Sequence, residues 1–70
     1  MFVNVITQRL DDGLYHIAMV EANSKEVSNE QFVQKVAIKS GYHPAKHQIM
    51  ESEVKKVGEG RYIVAWKSFM

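Results

Sequence analysis

Three histidines, two adjacent aspartates and four glycines are the residues of this chain best suited to chemistry. His43 and His47 stand four apart, the spacing at which a helix turns two imidazoles toward one metal ion. Gly41 and Pro44 forbid that helix. The chain holds no Cys, and Glu51, the nearest carboxylate, falls on a strand and points away. Two loop histidines are expected rather than a metal site. His16 could act as a general base, but it sits in the middle of a strand-like run. The sequence pattern places no Ser or Cys nucleophile beside it. Asp11 and Asp12 stand directly before Gly13 and suit a turn better than acid–base work. Gly13, Gly41, Gly58 and Gly60 fall at turns and a helix end, so none builds a phosphate-binding loop. The expectation is a protein without catalytic residues, cofactor or metal.

Aromatic and basic residues offer a different chemistry. Tyr15, Tyr62, Trp66 and Phe69 lie in strand-like runs, where aromatics can stack nucleic-acid bases. Lys46, Lys55, Lys56, Arg61 and Lys67 gather in the second half of the chain and could contact phosphates. Residues 1–30 hold two basic and five acidic side chains, a net −3, while residues 31–70 hold seven basic and three acidic, a net +4. Glu51, Glu53 and Glu59 interleave with the cations and blunt their field. With a net charge of only +1, nucleic-acid binding is the alternative reading.

These residues must be positioned by a small frame. Seventy residues allow one domain, 1–70, with one small core. A chain this short buries only about 60% of its unfolded surface, so a lone copy is marginal without a staple. With no Cys there is no disulfide, and self-association is the natural supplement. Composition is that of a globular protein, 46% hydrophobic and 24% charged. No apolar run approaches the ~18 residues of a membrane span, and the N-terminus lacks the basic region of a signal peptide. A cytoplasmic protein is expected.

The elements follow from periodicity and punctuation. Residues 2–10 and 14–21 read as strands around the turn Asp11-Asp12-Gly13, a three-residue loop ending in a left-handed Gly. That loop sets Leu10 opposite Leu14, Thr7 opposite Ile17 and Val5 opposite Met19. Ser28 and Gln31 resemble a capping box that opens a helix over 29–40. Its apolar stripe is Phe32, Val33, Val36, Ala37 and Ser40, and Gly41 ends it. Residues 47–57 and 61–69 read as a second hairpin around Gly58-Glu59-Gly60. This register pairs Val57 with Arg61, Val54 with Val64, Ser52 with Trp66 and Glu51 with Lys67. Gly13–Ala18 and Gly60–Ala65 share the string Gly-x-Tyr-x-x-Ala.

The spacing thus predicts an α+β fold, ββαββ, with a four-stranded antiparallel sheet in the favoured order 2-1-3-4 and one helix on one face. Val3, Val5, Thr7, Tyr15, Ile17, Met19, Met50, Val54, Tyr62, Val64 and Trp66 are expected under the helix. The other face would then expose Ile6, Leu10, Leu14, Ala18 and Val20 as a contiguous apolar area, the predicted protein interface. The small size, the lack of Cys and the sheet-plus-helix format resemble the small accessory proteins of phages and mobile elements. That resemblance implies a protein partner. The reading is a small non-enzymatic binding or regulatory protein, expected to be a homodimer, that acts by protein–protein contact. Binding nucleic acid through the basic second hairpin is the alternative.

Overall fold

The computed structural model describes residues 2–41 and 49–68. Its elements run β1 (Phe2–Leu10), β2 (Gly13–Glu21), α1 (Ser24–Val27), α2 (Phe32–Lys39), β3 (Ile49–Gly58) and β4 (Arg61–Ser68). The fold is α+β, with two short helices where one was expected. His43, Lys46, His47 and Phe69 lie outside the described residues. Among the described residues, no helix is long and apolar enough to cross a membrane.

The four strands form one antiparallel sheet in the order β1-β2-β4-β3, not 2-1-3-4. Both orders keep every neighbouring pair antiparallel, so strand direction does not choose between them. Burial does. β2 and β4 carry Ala18, Val20, Tyr62, Val64 and Trp66, all buried, and they take the centre. β3 is exposed along nearly its whole length, and its Glu51, Glu53, Lys55 and Lys56 are suited to an edge.

Register decides which side chains meet the helices. β1 pairs with β2 as Leu10↔Gly13, Thr7↔His16 and Val5↔Ala18. The loop is therefore Asp11-Asp12 alone, and Gly13 is the first residue of β2. The expected Leu10–Leu14, Thr7–Ile17 and Val5–Met19 pairs are each off by one residue, and a one-residue slip turns a strand over. His16, Ala18 and Val20 thus face the helices with Val5, Tyr62, Val64 and Trp66. Tyr15, Ile17 and Met19 face away, beside Ile6, Ile63 and Ala65.

The second hairpin keeps its expected centre, Val54↔Val64, but closes as Gly58↔Arg61 around Glu59-Gly60. Gly60 takes the left-handed conformation that this turn requires, at φ 68°. The ladder shifts register between Met50 and Glu53 and again between Lys56 and Gly58. The expected Ser52–Trp66, Glu51–Lys67 and Val57–Arg61 pairs are therefore absent, and Met50 stands opposite Lys67.

The helices pack on one face. The capping box forms earlier than expected, at α1. Asn23 Oδ1 accepts from the Glu26 N–H at 2.8 Å, and Glu26 Oε1 accepts from the Asn23 N–H at 3.3 Å. Ser28 instead ends α1 and donates its hydroxyl to the Lys25 carbonyl. α2 consequently begins at Phe32, and Gln31 makes no side-chain cap bond. Its stripe is as expected: Phe32, Val36 and Ala37 are buried, while Val33 and Ser40 are half-buried. Gly41, at φ 91°, closes the helix, and its N–H donates to the Ile38 carbonyl. The core joins Phe32, Val36 and Ala37 to Ala18, Val20, Val64 and Trp66, with Val5, Val27 and Ile49 packed against them.

Candidate functional site

Two features of this frame could carry function: a polar cluster inside the core, and the sheet face that the helices leave open. The cluster is set by the β1–β2–β4 register, which aligns Thr7, His16 and Trp66 across three strands. His16 is fully buried. Its Nδ1 lies 3.0 Å from Thr7 Oγ1 and its Nε2 lies 2.8 Å from Ser68 Oγ. Each hydroxyl can donate or accept, so either imidazole tautomer is served. The ring stacks on Trp66 with centroids 4.9 Å apart. Trp66 Nε1 is buried and finds no acceptor among the described residues.

This cluster was not foreseen. With β2 inverted, His16 lay on the solvent face, and Ser68 had no reason to meet it. The signal was available at one remove. Ser68 is two residues beyond Trp66 and so shares its face. The Ser68–His16 distance matches that of a nucleophile and its base. The setting differs from an open site: both side chains are fully buried. Among the described residues, no group of three His, Cys, Asp or Glu side chains could hold a metal ion.

The open face is the second feature. Three rows cross it in register: Asn4, Met19, Ile63 and Lys55; Ile6, Ile17, Ala65 and Glu53; Gln8, Tyr15, Lys67 and Met50. Its middle is apolar and its rim polar. Ile6 is 71% exposed, Met19 57% and Ile17 40%. A shallow hollow of about 190 Å³ lies over Tyr15, Ile17, Ile63 and Ala65, bounded by Glu53 and Lys55. A second, of about 330 Å³, lies at the end of the sheet, between Met19, Val57 and Arg61.

The predicted interface is divided by the sheet. Ile6 is on the open face, and Leu10, half-buried, is on the same side of β1. Leu14, Ala18 and Val20 are on the helix side, and Ala18 and Val20 are core residues. The cause is again the two-residue loop, which inverts β2. Ile17 and Met19 take the exposed places that sequence reasoning had given to Ala18 and Val20.

The basic set is divided too. Lys55, Arg61 and Lys67 belong to the open face, where Glu21 stands opposite Arg61 and Glu53 lies two residues from Lys55. Lys56 is opposite Tyr62, on the helix side, with its Nζ 3.6 Å from Glu59 Oε1. Lys67 Nζ donates to Asp12 Oδ2 at 2.8 Å. That bond holds the Asp12 carboxyl below its ordinary pKa and raises that of Lys67, to which the charge of Glu51 also contributes.

No family model matches this chain, and no curated protein or solved structure matches it either.

Proposed function

We propose that this chain is a small non-enzymatic binding or regulatory protein that acts by protein–protein contact at the open face of its sheet. One observation carries the reading: Ile6, Ile17 and Met19 lie side by side in water on the face opposite the helices. Exposed apolar areas above roughly 300–600 Å² are uncommon on monomers and mark contact surfaces when rimmed by polar groups. Here the rim is Asn4, Gln8, Glu53, Lys55 and Lys67. Burial of His16 and Ser68 supports a binding role over catalysis by that pair. Self-association belongs to the same reading, because a second copy supplies apolar burial that seventy residues lack.

The test is capture of partners from lysate, with and without nuclease, by the wild type and by an Ile17→Asp/Met19→Asp double variant. Both positions are exposed, so the variant is expected to keep its fold. The reading expects a protein partner that survives nuclease and is lost with the double variant. Equal capture by both proteins would sink it.

Nucleic-acid binding is the second reading, favoured by the placement of Lys55 and Arg61 on the same open face. It expects affinity for DNA or RNA to fall steeply with added salt and to weaken in Lys55→Ala and Arg61→Ala variants. Glu21, Glu53 and the tie between Lys67 and Asp12 leave little unopposed positive charge for it.

A further inference from the structure

We infer that β1 is the strand by which two copies of this chain join, paired antiparallel about Ile6, so that two four-stranded sheets become one of eight strands. The inference rests on the reading of a protein that works by protein contact, and it names the surface and the partner for self-association.

The two edges of the sheet are unlike. β3 is built against a further strand. Its register slips twice against β4, Glu51 sits at φ 49°, and Glu51, Glu53, Lys55 and Lys56 line it. Bulges and charges are the devices by which edge strands refuse addition. β1 has neither bulge nor clustered charge. Its nine residues pair with β2 in one unbroken register, without Pro or Gly, and Arg9 is their single charge.

Which backbone groups β1 offers follows from its neighbours. The Ala22 N–H donates to the Gly60 carbonyl at 3.0 Å, one step beyond the rung Val20↔Tyr62. Even-numbered residues of β2 therefore bond toward β4, and odd-numbered ones toward β1. Their partners on β1 are the even-numbered residues, including Ile6 and Gln8. Bonding direction alternates along an antiparallel strand. The odd-numbered residues of β1, Val5 and Arg9 among them, thus turn their backbone groups to the open edge.

A two-fold axis at Ile6 fits this strand to itself. Ile6 then stands beside the second copy's Ile6, with Ile17 next on each side, and four isoleucines form one row across the joint. Asn4 meets the second copy's Gln8, amide to amide. Arg9 falls at the two far ends and opposes no like charge. Among the described residues, Ile6 is the most exposed large apolar side chain, at 71%, and this register covers it. On the other face Thr7 keeps its contact with His16. One strand per copy buries less than a standard interface, so association in the micromolar range is expected.

The pairing makes Ile6 a non-hydrogen-bonded pair with its copy, with Cα atoms about 4.5 Å apart, inside the reach of a disulfide. The chain has no Cys, so a single Ile6→Cys variant reports this contact alone. Under mild oxidation at micromolar concentration it is expected to give a disulfide-linked dimer, while Lys55→Cys on the β3 edge stays largely unlinked. Equal linking of the two would overturn the inference, as would a monomeric wild-type mass by sedimentation at high micromolar concentration. Val5→Pro removes an edge N–H and leaves the ladder to β2 intact, so a folded Val5→Pro protein is expected to be monomeric. If it fails to fold, Ile6→Lys sets two like charges at the axis and is expected to weaken the dimer about tenfold or more. An Ile17→Asp/Met19→Asp variant that still dimerises but captures no partner supports β1 as the joint. If instead that variant dissociates while Val5→Pro or Ile6→Lys stays dimeric, the joint is the open face: this inference fails and the binding reading stands.

Discussion

His16 joins three strands through one ring: Thr7 on β1, Ser68 on β4, and the face of Trp66. A fully buried imidazole is costly unless its nitrogens are served, and Ser68 serves Nε2 at 2.8 Å. Ser68→Ala withdraws that partner and should cost about 1–3 kcal/mol. Adding His16→Phe removes the stranded nitrogen as well, so the double variant should lose less than the sum of the two single losses. Urea denaturation of the four proteins measures this coupling, and strict additivity would show that the hydrogen bond contributes nothing. Asp12 and Lys67 present the opposite case, a bond held at the surface. The carboxyl pKa of Asp12 is lowered on folding by the Lys67 hydrogen bond. Its contribution is therefore complete above the ordinary carboxylate range and disappears as pH falls through the lowered folded value. Asp12→Asn should thus lower Tm at neutral pH, by a margin that narrows as the solution is acidified and that shrinks in high salt. A difference that grew toward acid would contradict the sign of the shift.

Two glycines explain why the inward face of β4 was legible and that of β2 was not. Gly13 and Gly60 open the same Gly-x-Tyr-x-x-Ala string, and that likeness suggests the same turn for both. The chain uses them differently. Gly60 lies inside its loop in the left-handed conformation, whereas Gly13 lies past its loop and already pairs with Leu10. The string therefore starts one residue earlier relative to the turn in β4 than in β2. Tyr62 goes into the core and Tyr15 to the open face. Composition could not separate the cases, because Asp-Asp-Gly supports a loop of either length. The α2 stripe and its Gly41 end were legible because 3.6-residue periodicity and a C-terminal glycine agree there. The bulge at Glu51 was not legible, because nothing marks a glutamate for positive φ. Glu51 at φ 49° bears a strain of roughly 1–2 kcal/mol that glycine lacks. Glu51→Gly should therefore raise stability, less the added unfolded-state entropy, for a net gain of up to about 1 kcal/mol. A loss of stability in thermal unfolding would show that the Glu51 side chain holds the bulge.

At the scale of the whole molecule, one consequence of chain length was legible from the start: a single helical layer can cover only one side of a four-stranded sheet. Which side it covers was not, because one residue of register in the first hairpin exchanges Ala18 and Val20 for Ile17 and Met19. The candidate surface moved with it, from a set expected on one face but divided by the observed register, to a face whose most exposed apolar residue, Ile6, lies on an edge strand. That position ties the open face to the β1 edge, since joining two copies at Ile6 makes their open faces continuous. If the second copy completes the burial that seventy residues lack, stability must depend on concentration by mass action. Tm of the wild type should then rise with protein concentration, by several degrees over a hundredfold range, since about 1 kcal/mol shifts Tm by roughly 4–8 °C in a domain of this size. Ile6→Lys should flatten that dependence while leaving Tm at low concentration nearly unchanged, because the side chain is exposed in the single copy. A wild-type Tm independent of concentration would mean that the single copy is the stable unit and that Ile6 is held in water for a different partner.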